Sequence, residues 1–163
     1  MIKSQQVKFG VRVHQSGYSF EDLKAIFTQA DRLGYYSATL YDLLNIPTLE
    51  CWTTLSALAA VTERIRLTPM VLAHLYRPPA LLAKMSATLD VISGGRLELG
   101  LGSGWFEEGF SAYGYDYRTA GKRLERLEET LQMLELLWSG DSADFEGKHY
   151  RLKEAVCEPK PLQ

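Results

Sequence analysis

Residues 64–105, RIRLTPMVLAHLYRPPALLAKMSATLDVISGGRLELGLGSGW, read as strand, helix, strand. Ile65–Leu72 is an apolar, partly β-branched run. Pro78 and Pro79 follow where a helix can begin, since proline sacrifices no hydrogen bond in the first turn. Ala80–Ile92 keeps the helical period, with Leu82, Met85, Leu89 and Ile92 on one side. Gly94-Gly95 stops it, because glycine takes the left-handed conformation that ends a helix. A second apolar run, Leu97–Leu101, empties into Gly102-Ser103-Gly104. Two strands joined in this way lie parallel, with the helix as their crossover. In parallel α/β folds ligands sit at the carboxyl ends of the strands. Those ends are Ala73-His74 and Gly102–Trp105, the first candidate site.

The pattern extends toward the N-terminus. Val7–Val13 is a short mixed strand. Ser19 and Asp22 form a capping box, and Leu23, Ile26, Phe27, Ala30 and Leu33 mark an amphipathic helix that Gly34 ends. Tyr36–Tyr41 is the next strand and leads into Asp42. Thr48 is the expected N-cap of a second helix, with Glu50 near its positive end, and Leu55, Leu58, Ala59 and Thr62 form its buried side. Strands therefore start near residues 7, 36, 65 and 97, a steady βα repeat of 29 to 32 residues. Such repeats build a doubly wound open sheet or a (β/α)8 barrel.

Beyond Leu101 the rhythm breaks. Gly102–Thr119 is rich in glycine and aromatics and has no clean period; long loops of this kind carry the chemistry of barrel enzymes. Arg123–Trp138 is an amphipathic helix with Leu124, Leu127, Leu131, Leu134 and Leu137 expected inward, and Glu125, Arg126, Glu128 and Glu129 outward. Asp144–Leu152 reads as a hairpin turning at Gly147, and residues 153–163 as a proline-punctuated linker.

At 163 residues and 46% apolar composition the chain fits one domain with a real core. The net charge of −2 comes from 18 basic and 20 acidic residues mixed along the chain. No basic run exceeds a dipeptide, which argues against nucleic acid. No apolar run approaches the roughly 18 residues of a membrane helix, and MIKSQQVKFG lacks the apolar core of a signal peptide. Cys51 and Cys157 form no CxxC pair, so a reduced, cytoplasmic protein is expected.

Three segments carry a resemblance: ECWTTLSALAAVTERIRL (50–67), YRPPALLAKMSATLDVISGGRLELGLGSGWFEEGFSAYGY (76–115) and GKRLERLEETLQMLELLWSG (121–140). Together they resemble the bacterial luciferase-like superfamily of flavin-dependent monooxygenases and F420-dependent oxidoreductases, from about Val7 to Gln163. The resemblance implies a TIM-barrel-type α/β fold in which this chain is the N-terminal half. Four βα units would form a half-barrel, followed by a long insertion and a small hairpin, with residues 153–163 leading toward strand 5. Four parallel strands cannot close a barrel and leave open edges. A homodimer completing the barrel is therefore expected; the alternatives are a partner chain carrying strands 5–8, or a chain that is a fragment of a longer protein or a decayed gene product.

The resemblance also implies site residues. Asp42, at the end of strand 2, and Val71, Leu72 and Ala73, at the end of strand 3, would meet an FMN or F420 ring. Relatives often carry a bulge with a non-prolyl cis peptide at the latter position. Ser103, Gly104 and Trp105 would contact the cofactor from strand 4. Two departures matter. F420-using relatives carry an Asp-His pair where this chain has Asp42-Leu43, and some carry a glutamate where it has Trp105.

From the residues themselves, His14 and His74 fall at carboxyl ends of strands and are the candidate acid/base groups. His149 falls in the hairpin, a surface position. Glycines 100, 102 and 104 miss the dinucleotide fingerprint, which needs glycine at position 105. No GxSxG elbow, P-loop or metal-ligand spacing is present. Cys51 reads as a small buried apolar residue, with nothing basic beside it to activate the thiol. Two functions remain: a flavin- or F420-dependent oxidoreductase working as an assembled barrel, or a non-catalytic, self-associating half-barrel with weak or no cofactor binding.

Overall fold

A computed structural model describes residues 7–163. The first six residues lie outside it. The order is β1 (Gly10–Arg12), α1 (Phe20–Leu33), β2 (Ser37–Leu40), α2 (Cys51–Ala59), β3 (Arg66–Pro69), β4 (Leu72–Ala73), a 3-10 turn (His74–Tyr76), α3 (Pro79–Ser93), β5 (Leu101–Gly102), α4 (Glu107–Ala112), α5 (Ala120–Ser139), β6 (Ala143–Glu146) and β7 (Arg151–Ala155).

The strands of the βα repeat are parallel. β1, β2 and β3 form one sheet in that order, with Val11 opposite Ala38 and Ala38 opposite Leu67. β4 pairs with β5, Leu72 opposite Leu101, and a single parallel bridge joins Leu67 to Leu97. The expected third strand, Ile65–Leu72, is therefore interrupted. The five-residue step from Leu67 to Leu72 lies opposite a four-residue step from Leu97 to Leu101. The extra residue is a bulge at Met70-Val71, the hallmark of a strand that re-aims side chains. The Met70–Val71 peptide bond is cis.

Local signals account for the helix ends. Ser19 and Asp22 close the capping box and Gly34 caps α1 in the left-handed region. α3 starts at Pro79 and ends at left-handed Gly94. The cap of α2 differs from expectation: Glu50, not Thr48, holds it, its carboxylate accepting from the Trp52 and Thr53 N–H groups at 2.9 and 2.7 Å. An ionised acceptor at two orphan donors is stronger than a single hydroxyl.

The core lies between the sheet and the helices. Leu23, Phe27, Ala38, Leu40, Leu55, Leu58, Ile65, Leu67, Leu72, Leu82 and Leu89 are buried. Leu33 and Ile92, expected inward, are exposed in the last turns of α1 and α3. α5 is longer than expected and turned differently: Arg123, Thr130, Met133, Leu134 and Leu137 are buried, while Leu124 and Leu131 are exposed. It packs on α3, where the Trp138 indole N–H donates to the Ala83 carbonyl at 3.1 Å. Leu131 faces an open groove with Leu99, Leu101 and Trp138. The loop 102–119, expected to be irregular, contains α4.

Polar ties lock the frame. The Asp31 carboxylate accepts from the Glu63, Arg64 and Ile65 N–H groups. The Arg96 guanidinium donates to the carbonyls of Ala59, Thr62, Ile65 and Ser93, covering the C-terminal end of α2. β6 and β7 form the expected antiparallel hairpin, and Glu129 of α5 accepts from the backbone of Lys148, His149 and Tyr150. Residues 153–155 belong to β7. Beyond them the chain is docked: Leu162 N–H donates to Asp90 at 2.7 Å, and Lys160 to the carbonyls of Leu137 and Gly140. Among the described residues no helix is long and apolar enough to cross a membrane.

Candidate functional site

A cavity of about 600 Å³ opens at the carboxyl ends of the parallel strands. One side is polar: Arg12 ends β1, His14 and Ser16 follow it, and Tyr41 and Asp42 follow β2. The Ser16 and Tyr41 hydroxyls are hydrogen-bonded at 2.7 Å, and the His14 ring stands 5.3 Å from the Tyr41 ring. Buried Gln15 fixes this corner. Its amide donates to the Tyr41 and Leu49 carbonyls and its carbonyl accepts the Tyr41 N–H.

The opposite side is apolar. Met70 and Val71, on the bulge, are about half exposed, and Leu72 and Ala73 are buried below them. Gly104, Trp105, Phe106 and Phe110 close the wall from the loop after β5. Gly104 is required there. It has φ +79°, and a Cβ on it would stand 2.6 Å from the Phe110 ring. Phe110 is fully buried against Tyr76, centroids 4.4 Å apart.

Asp42 is buried and both its oxygens are engaged. Oδ2 accepts the Ala73 N–H at 3.1 Å and Arg77 Nη1 at 2.8 Å, and Oδ1 accepts Arg77 Nη2 at 3.1 Å. Arg77 Nη2 also donates to Glu50 Oε1 at 2.6 Å. Burial acts to lower the Arg77 pKa, but hydrogen bonds and charge from Asp42 and Glu50 outweigh it and raise it. Burial, aided by the Asp42 charge, pushes the Tyr76 phenol up to about 12. Its buried hydroxyl has no hydrogen-bond partner among the described residues. Cys51 is buried and its pKa is raised by that burial, next by the charge of Asp42, so its thiol stays protonated.

Thus the structure brings His14, Asp42, Val71, Leu72, Ala73, Gly104 and Trp105 to one cavity. Ser103, half-buried, is not among its lining residues. Nor is His74, which is buried between the 3-10 turn and α5, its ring nitrogens 3.2 Å from Thr130 Oγ1 and the Arg123 carbonyl. Burial holds the His74 pKa down at about 4, against the bond to Arg123. A neutral, enclosed imidazole has no route to a ligand in the cavity. Sequence reasoning missed Arg77, Glu50, Ser16, Tyr41 and Tyr76. The one local signal was an arginine wedged between a strand end and the prolines that start α3. Among the described residues no group of three or more His, Cys, Asp or Glu is arranged to hold a metal.

The sequence profile of the luciferase-like monooxygenase family matches residues 5–163. The chain belongs to this family. A pyrimidine monooxygenase, RutA, of Stutzerimonas stutzeri is 34% identical over 154 residues, 88% of this chain and 42% of the relative. An FMNH(2)-dependent dimethylsulfone monooxygenase of Pseudomonas putida is 37% identical over 107 residues, 66% of this chain and 29% of the relative. The chain thus spans less than half the length of these luciferase-like relatives. The oxygenating constituent of 3,6-diketocamphane monooxygenase from Pseudomonas putida, solved with FMN, superimposes with a TM-score of 0.77 at 26% identity, covering 91% of this chain and 44% of that one.

Proposed function

We propose that this chain is the flavin-facing half of an FMN-dependent monooxygenase, one domain over residues 1–163. In it, residues 10–102 are four βα units of a half-barrel and residues 153–163 lead toward a further strand. The observation that carries this is the convergence of Val71, Leu72 and Ala73 with Gly104 and Trp105 on one cavity. These residues suit a planar, amphipathic ring: an apolar wall, a Gly104 backbone free of a Cβ, and an unpartnered Tyr76 hydroxyl. The volume is in the range of cofactor sites. FMN is favoured over F420 because two of the three proteins above, the dimethylsulfone and diketocamphane monooxygenases, name FMN or its reduced form, and because Leu43 and Trp105 replace the residues expected for F420.

Reduced FMN, when bound, supplies the electrons that activate dioxygen for insertion into a substrate. The protein's part is placement. Val71 and Ala73 would support a bound ring, and Trp105 would cover it from water. Ser103 adjoins Gly104 in sequence but lies outside the cavity lining. His14, beside Tyr41 and Ser16, is the imidazole in the polar corner and would serve there as the acid/base group.

Assembly completes the site. Among the described residues β1 pairs only with β2, and β5 only with β4. An open groove of about 580 Å³, lined by Leu99, Leu101, Leu131, Leu134 and Trp138, adjoins β5. A homodimer pairing β5 of one copy with β1 of the other covers both edges. Two unpaired cysteines suit the cytoplasm as its compartment.

A second function, a non-catalytic self-associating half-barrel, is favoured by one observation: Arg12 is the only arginine or lysine lining the cavity among the described residues. A phosphate group therefore has little to hold it. Titration of the purified protein with oxidised FMN, reduced FMN and F420, followed by ring fluorescence, separates these. Saturable quenching by FMN is expected. Quenching by F420 alone overturns the cofactor, and binding of none leaves the non-catalytic function. Sedimentation of a stable, folded monomer overturns the dimer.

A further inference from the structure

We infer that Arg77 is the positioning residue of this cavity, fixing Asp42 so that Asp42 holds the bulged Met70–Ala73 segment in place. The inference deepens the proposed function and rests on it only for the ligand's identity. Asp42 ends the β2 arm of the cavity and Ala73 ends the β4 arm. The link between them is the Asp42 carboxylate accepting the Ala73 N–H at 3.1 Å. A carboxylate with a 1% exposed side chain is costly to bury unless paired. Arg77 supplies the pairing through two nitrogens, at 2.8 and 3.1 Å. A planar guanidinium gripping both oxygens also sets the carboxylate's rotation, which a point charge does not.

The third arm gives the device its reach. Arg77 bonds Glu50, whose carboxylate also caps α2 through Trp52 and Thr53. One side chain thus ties the end of β2, the end of β4 and the start of α2. Two of its three bonds go to Asp42 at the cavity's edge and the third to Glu50, outside the lining. Asp42, with both oxygens engaged by Arg77 and Ala73, acts on a bound ring through the backbone of Ala73 rather than by touching it.

Hydrogen exchange read by NMR on the full chain tests this, with FMN titration alongside. Arg77→Gln removes the two-point grip on Asp42 and releases its carboxyl group, so the Ala73 amide should exchange about tenfold faster while β1 and α5 amides keep their rates. FMN affinity should fall by about tenfold with little change at the Ser16–Tyr41 corner. Arg77→Lys should recover the charge but only part of the protection, because a lysine does not grip both oxygens. It also replaces the Gln variant should that fail to fold. Wild-type exchange at Ala73 in both variants overturns the inference. So does acceleration spread evenly over the chain, which marks Arg77 as merely structural. If the wild-type protein binds no FMN, the proposed function fails, and the Ala73 exchange still decides the role of Arg77.

Discussion

Gly100 lies directly against Pro69: a Cβ on Gly100 would stand 2.5 Å from the Pro69 carbonyl oxygen and 3.2 Å from Val71 Cγ1. The contact is with backbone just before the bulge, so no rotamer change relieves it. Gly100→Ala must push β5 away from β3 and tilt Val71 out of the cavity wall. Overpacking of this kind costs about 1–3 kcal/mol. Thermal unfolding of the variant should show a lowered Tm. A Tm equal to that of the wild type would mean that β5 moves freely, contrary to the close packing described.

Asp31 offers a pH-dependent test. Burial acts to raise its pKa, but the Glu63, Arg64 and Ile65 N–H groups, with Arg64 nearby, outweigh it and lower the pKa from 3.8. A carboxyl group depressed on folding stabilises above its unfolded pKa, and that stability is lost as pH falls through the lower folded value. Asp31→Asn keeps one acceptor oxygen for three donors and should cost about 1–3 kcal/mol at neutral pH. Urea unfolding should show that difference constant above about pH 5 and shrinking below the ordinary carboxylate pKa. A difference that persists undiminished at low pH would exclude the ionised acceptor.

Asp31 also illustrates what a sequence discloses. The capping box at Ser19, the left-handed glycines 34 and 94 and the proline start of α3 were legible because each signal lies within a few residues of its effect. The βα repeat was legible for the same reason, and it located the cavity. Partnerships across the chain were not. Asp31 in α1 serves residues 63–65, and Arg77 reaches back to Asp42 and Glu50. The leucine stripe of α5 identified a helix but not its neighbours; Met133 and Leu137 are buried, and Leu124 is left in solvent. His14 and His74 looked alike because both end strands. The 3-10 turn after Ala73 carries His74 back under α5.

His74 should mark itself in the pH dependence of stability. Its folded pKa, held down by burial at about 4, lies below the ordinary value of 6.5. Between these values the unfolded chain takes up a proton that the folded chain refuses. The stability it contributes is therefore complete above about pH 6.5 and is lost as pH falls toward the folded value. The loss is on the order of 3 kcal/mol. His74→Gln, which keeps hydrogen-bonding capacity toward the Arg123 carbonyl, should flatten stability across this window. NMR titration of the His74 ring with a midpoint near 6.5 would overturn the prediction.

Trp105 separates the site from the fold. Its side chain is 72% exposed, the highest exposure among the cavity-lining aromatics. Its backbone is held independently: the Tyr117 hydroxyl donates to the Trp105 carbonyl at 3.2 Å. Trp105→Ala therefore removes little buried area and keeps the loop's anchor, and stability should change by no more than about 0.5 kcal/mol. A ring bound against Val71 and Ala73 would, however, lose its cover from water. FMN affinity should fall by about 1–2 kcal/mol, the scale of an aromatic contact in a partly desolvated site. The measurement pairs thermal unfolding with FMN titration on the same preparations. A variant that binds FMN as tightly as the wild type would remove Trp105 from the cavity's working wall. A variant that loses stability and affinity together would show that the indole holds the loop instead of the ligand.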